Sequence, residues 1–336
     1  MNTRGMTVAG VAAILLAAGG ATAEVSIETV PIGNPGNADD THGDGYGGVG
    51  YTYNIATCEV SNAQYCEFLN AVAAIGDPHK LYDMDMGGGW NDMGGISRSG
   101  SGTAADPWAY SPRPNRGNRP VNRISWGDAA RFANWLQNGQ PAGAQDLTTT
   151  EDGAYFLNGA MSKDNLMAVV RKVNWKWAIP TEDEWYKAAY YDGGSGVYYD
   201  YPTGSDTAPT PELPPGSDMT NGSANYDDYV DTTHYTTECG AYTRKPSASP
   251  YGTFDQGGNV WEWNEAVVST SFRGNRGGGF GWGENALRAA IRGSAPPTYN
   301  GYGFRLVQVP EPATLSLLVL GGLAVLRRRP RRRAAR

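Results

Sequence analysis

Cysteine and histidine are both scarce in this chain, whose 336 residues carry three of each. His42, His79 and His234 lie far apart, so no spaced pair marks a zinc or general-base site. Cys58, Cys66 and Cys239 allow one disulfide and leave one thiol, and spacing alone selects no pair. Neither a Gly-x-Ser-x-Gly elbow nor a phosphate-cradling glycine loop occurs, which removes the usual hydrolase and nucleotide-binding signatures. Aspartates are plentiful, yet no spacing singles out a hydrolytic carboxylate pair. Long apolar runs are confined to the two ends, and there is no internal repeat.

Glycine (46), proline (21) and tyrosine (20) dominate instead, with aromatics at 11%. That composition describes a loop-rich globular domain whose aromatics supply the apolar area, and it is too aromatic for disorder. Residues 1–23 read as a secretory signal: Arg4, the apolar run Val8–Ala18, then Ala21-Thr22-Ala23 before Glu24. At the other end Val309-Pro310-Glu311-Pro312 leads into Ala313–Leu326 and seven arginines. This apolar run is shorter than the roughly 20 residues usual for a membrane-spanning helix. The arginines that follow fit the positive-inside rule, with the domain outside. A nucleic-acid-binding tail is disfavoured by the apolar stretch before it. Of 27 basic residues, removal of Arg4 and the seven tail arginines leaves 19; of 34 acidic ones, loss of Glu311 leaves 33, so the mature domain carries about −14. That balance disfavours nucleic acid and suits cations, neutral glycans or solubility alone.

Capping patterns place three helices. Ser61-Asn62-Ala63-Gln64 opens one near 62–74, Ser125-Trp126-Gly127-Asp128 one near 126–138, and Thr181-Glu182-Asp183-Glu184 one near 182–191. Strands are expected at Val25–Pro31 and Gly50–Ile55. Long loops separate these elements at Gly76–Asn118, Gly139–Val173 and Gly193–Ser223, the middle one expected to be partly ordered as a hairpin. The chain is organised around Gly257-Gly258-Asn259-Val260-Trp261-Glu262-Trp263, followed by Arg276-Gly277-Gly278-Gly279-Phe280. Glu262 stands between two tryptophans. It is either half-exposed on a strand edge, or buried with a partner or a metal.

The run Thr253–Trp263 resembles the signature of the formylglycine-generating enzyme family, the sulfatase-modifying factors. Cys58–Tyr65, Arg119-Pro120-Val121-Asn122, Ile179–Trp185, Leu287–Arg292 and Gly303-Phe304-Arg305 fit the same family, in order, between about residues 50 and 308. The resemblance implies a single α+β domain of the formylglycine-generating-enzyme type, C-type-lectin-like and low in regular structure. The tripartite C-terminus, from Pro310 to Arg336, resembles the PEP-CTERM sorting signal. That likeness implies signal peptidase and exosortase as processing partners, transient anchoring in the inner membrane, and export to the envelope of a Gram-negative-type bacterium.

The family also implies structural calcium. Calcium takes about six to eight oxygens, so mixed carboxylate, amide and carbonyl donors in irregular backbone suit it. By resemblance one set is Asp255 and Glu262 with the carbonyls of Gly258 and Val260. A second is Asn225 and Asp231 with the carbonyls of Tyr226 and Thr233, although Asp227 and Asp228 compete with Asp231. Family oxidases hold copper(I) between two thiolates, the ligands that soft ion requires. Those positions fall here on Trp282 and near Leu287, and no cysteine follows Cys239. No copper and no formylglycine formation are therefore expected, and Trp282 should fill or line the cleft. Two functions remain: a non-catalytic scaffold binding glycan, exopolysaccharide or protein ligands, or an oxidase-type enzyme with a rearranged site.

Overall fold

The computed structural model describes residues 24–42, 45–89, 92–227, 231–245 and 247–309. The secretory signal (1–23) and the expected membrane stretch Ala313–Leu326 lie outside them. Among the described residues no helix is long and apolar enough to cross a membrane.

The three capping patterns start three helices. Helix α1 (Asn62–Val72), α2 (Trp126–Gln137) and α4 (Glu182–Tyr190) each begin with a complete capping box, in which the cap hydroxyl accepts from the N3 backbone and the N3 side chain accepts from the cap N–H. A further one-turn helix, α3 (Lys163–Met167), interrupts the middle loop where a hairpin was expected. Only an isolated bridge between Tyr155 and Arg171 remains of that hairpin. The reason is local: the Ser162 hydroxyl caps α3 and Leu166 is buried, so a helical turn satisfies this segment better than a ladder.

Helices α1 and α2 meet through aromatic rings. Phe68 lies 5.3 Å from Phe132, edge to face, and Phe132 lies 5.5 Å from Phe304 near the end of the chain. Around this core a four-stranded antiparallel sheet runs in the order Thr29–Ile32, Tyr53–Ala56, Val307–Gln308, Trp177–Ala178. The first of the two N-terminal strands starts four residues, and the second three residues, later than the sequence pattern places them. A second antiparallel sheet joins Glu262–Ser269, Phe272–Arg276 and Gly293–Ala295. One large cluster of buried side chains draws on residues from Val25 to Val307, with two small satellites beside it. This is a loop-rich α+β domain. The first long loop is ordered by a short hairpin, Ile96–Ser99 with Ala109–Pro112, whose Tyr110 backbone exchanges hydrogen bonds of 2.9 Å with the Asn70 amide of α1.

Cys58 and Cys239 form the disulfide, across 181 residues of chain, while Cys66 is buried on α1. Burial, with Glu67 adding to it, pushes the Cys66 thiol up to about 12, so it is inert. Replacing Cys58 and Cys239 together by alanine should cost about 2–5 kcal/mol, read as a lower denaturation midpoint. Cys66 should resist a thiol reagent at pH 8 until the protein unfolds. An unchanged midpoint, or rapid labelling of native Cys66, would contradict this assignment.

Candidate functional site

Glu262 is wholly buried, and its partner is Arg305. Arg305 Nε and Nη2 each donate at 2.6 Å to one oxygen of the Glu262 carboxylate, and the Trp185 indole N–H donates to it at 2.7 Å. The remaining guanidinium protons go to the carbonyls of Ala56, Thr57 and Phe254. Burial opposes the charge on Arg305, but Glu262 outweighs it and raises the arginine above its ordinary value. The half-exposed alternative for Glu262 is thereby replaced by a bidentate internal ion pair.

Two more acids crowd this pair. Glu59 is buried, with Oε2 at 4.0 Å from Arg305 and Oε1 without a hydrogen-bond partner. Burial, then Asp255 and Glu262, hold its carboxyl well above the usual range. Asp255 is pushed up to about 6, by burial first, although the Gly240 N–H and Arg305 pull the other way. Its carboxylate lies within 4.8 Å of the sulfurs of Cys58 and Cys239. Three carboxyl groups thus lie in the field of one guanidinium. Asp255 and Asn259 have left-handed φ values, +59° and +58°, and between them Gly258 at +90° passes so close to the Asn225 carbonyl that a Cβ would sit 2.4 Å from it.

The second expected calcium set is engaged differently. Asp231 Oδ1 accepts from the N–H groups of Thr233 and His234, and Oδ2 accepts from Arg119 at 3.1 Å. The Thr233 carbonyl accepts from Arg116. Two arginines therefore stand against these ligands. Asn225 is buried, donating to the Tyr235 carbonyl and Asn259, while its Oδ1 has no partner. Its neighbour Tyr226 buries its ring and donates its hydroxyl to the Pro209 carbonyl.

Trp282 does not fill the cleft; it lines it. It is 56% exposed, held in a turn by its N–H to the Gly279 carbonyl, and stands edge-on to Trp261 with centroids 5.6 Å apart. The cleft has a volume of about 410 Å³. Phe280, Tyr299 and Tyr302 add aromatic walls, and Asn122 and Arg123 supply polar groups. Among the described residues lining it there is no carboxylate, thiol or imidazole. Leu287 is fully buried in a small cluster with Tyr201, Tyr226 and Trp261, behind the cleft wall. Such a surface can stack and hydrogen-bond a ligand.

A model of the sulfatase-modifying factor enzyme 1-like domain matches residues 48–310. The chain belongs to that family. Residues 308–333 match the PEP-CTERM protein-sorting motif, which marks this sulfatase-modifying factor domain as exported, with exosortase processing at a Gram-negative cell envelope. CarF is similar in structure at 20% identity and TM-score 0.50, over 85% of this chain and 99% of that one. Variable protein 1 of Treponema denticola is similar at 17% identity and TM-score 0.49, over 86% and 97%. PvdO from Pseudomonas aeruginosa is similar at 15% identity and TM-score 0.46, over 84% and 91%. No curated protein matches the chain.

Sequence reasoning missed Arg305 as the partner of Glu262, although Gly303-Phe304-Arg305 was in view. An arginine next to a buried phenylalanine was the available signal. It also missed Glu59, Arg123 and the tyrosines of the cleft, which no spacing connects. Removing one member of the buried pair in this sulfatase-modifying factor domain, by Glu262→Gln or Arg305→Met, should cost about 3–5 kcal/mol. The double variant should lose clearly less than the two singles combined. Additive losses in denaturant midpoints would show that the pair does not act as a unit.

Proposed function

We propose that the protein is an exported, envelope-associated scaffold that binds glycan chains without chemistry of its own, on a fold held by calcium. The observation that carries this reading is the exposed Trp282 beside a cleft walled by aromatic rings and edged by amide and guanidinium groups. Aromatic faces pack against the apolar faces of pyranose rings, and amides with a fork of N–H groups meet hydroxyls and acetal oxygens. An oxidase of the family type would need a thiolate pair where Trp282 and Leu287 stand. Trp282→Ala should therefore weaken binding to any glycan found on an array of bacterial and plant polysaccharides by at least tenfold, with an unchanged melt because the ring is largely exposed. Retained binding by the variant would remove the platform from the reading.

The first set of ligands is the one that supports calcium. A carboxylate offers about four lone-pair positions, and three donors occupy three of them on Glu262, which leaves one for an ion. Asp255 and the carbonyls of Gly258 and Val260 would complete the protein's share, and the excess of carboxylate over guanidinium supplies the electrostatic reason. Bound there, calcium would neutralise that excess and tie the 255–262 segment down. Without metal, Asp255 titrates higher folded than unfolded, so its contribution favours the fold below pH about 4 and is lost as pH rises through about 6. Calcium should raise the melting temperature most above pH 6, and the increment should shrink as protons compete at lower pH. Melts that ignore calcium at pH 7.5 would refute the site.

A further inference from the structure

The cleft beneath Trp282 shares a wall with a second cavity of about 290 Å³. The segment 298–302 is the partition: Thr298 and Asn300 line the second cavity, whereas Tyr299, Gly301 and Tyr302 line the first. Arg123 lines both. A ligand confined to one sugar ring would use one cavity. A chain of sugars could lie across the partition and use both.

The charges at this junction are unusual for so acidic a domain. Among the described residues Arg123 has one ion-pair partner, Asp85, at 3.9 Å, with that carboxylate about half exposed. Lys80 lies on the rim of the second cavity and makes no ion pair among the described residues. The acids facing the same space are already engaged. Asp83 accepts from Asn300 at 2.5 Å, and Asp128 accepts from the Ser125 N–H and hydroxyl, with burial pushing it up to about 7. Arg131, deeper in the wall, is held by both oxygens of Glu151. His79 contacts Gln145 and Glu151, and burial, then Arg131, lower it. Arg123 and Lys80 both hold left-handed backbone, at φ +64° and +58°, where glycine or asparagine would be less strained.

We infer that the two cavities form one groove for a polysaccharide bearing carboxylates. The aromatic cavity packs on one ring, and Arg123, backed by Lys80, meets the carboxylate of a neighbouring sugar. This rests on the glycan-binding reading above and adds to it the charge and the length of the ligand. A guanidinium fork suits a carboxylate bidentately, and a cation pair in a negatively charged domain selects acidic chains by short-range contact rather than by long-range attraction.

The test uses the mature protein with oligomers of polygalacturonate, alginate and hyaluronan, their carboxyl-reduced counterparts, and neutral cello-oligosaccharides, read by calorimetry. Hexamers of at least one acidic polymer should bind at least tenfold tighter than its dimer and than its carboxyl-reduced hexamer. Arg123→Asn, chosen because asparagine tolerates the left-handed backbone, should bring the acidic-to-reduced ratio close to one. Lys80→Asn should lower the ratio by a smaller factor and reduce its salt dependence. Binding of neutral chains through Trp282, with no preference for acidic ones, would overturn this inference and leave the glycan reading standing. Binding of no polymer at all would overturn both. A preference that survives Arg123→Asn in a folded variant would also overturn the assignment.

Discussion

The ion pair between Glu262 and Arg305 is the constraint on which the rest of the domain hangs. Arg305 spends every N–H it has, on one carboxylate and three backbone carbonyls that come from residues 56, 57 and 254. Trp185 of α4 closes the same carboxylate from the other side. One guanidinium therefore fixes an N-terminal strand end, the segment before the glycine-rich loop, the strand Glu262–Ser269 and a helix in one arrangement. A buried pair of this kind adds little net stability compared with an apolar substitute, but breaking it leaves an uncompensated charge in the interior.

Other arginines repeat the device. Arg276 and Arg292 share Glu182, Arg131 grips Glu151, and Arg171 bridges Glu184 and Glu265. Loop-rich domains leave many carbonyls outside any ladder, and a guanidinium satisfies several at once. Arg273 shows this most directly: it sits over the Trp126 ring and donates to the carbonyls of Glu265, Leu166 and Val169. Where the arginines run out, at Glu59 and Asp255, the interior holds more carboxyl groups than guanidinium groups to pair them. That is where a bound cation would change most.

The site described by Trp282 is a consequence of the same frame. The turn Gly279–Trp282 follows the strand Phe272–Arg276, and the Trp282 carbonyl accepts from Asp227, so the ring is presented rather than buried. Trp261, one residue before Glu262, stands behind it with the indole in the cleft wall. The ion pair that fixes Glu262 thus also fixes the wall against which a ligand would rest.

The sequence by itself determined the local elements and the family. Capping boxes at Ser61, Ser125 and Thr181 are written within four residues, so their helices were legible, and the ordered motifs from Cys58 to Arg305 named the fold. That no cysteine follows Cys239 was legible too, because ligand identity is a property of residue type. Tertiary structure alone decided the pairings: Cys58 with Cys239 rather than Cys66, Glu262 with Arg305, Asp231 with Arg119, and the meeting of Arg123 with the 298–302 segment. These partners are separated by 43 to 181 residues wherever the contact is a bond or an ion pair. No periodicity spans such distances. Whether a buried acid ends beside an arginine, a backbone N–H or another acid is settled only when the loops close and solvent is excluded.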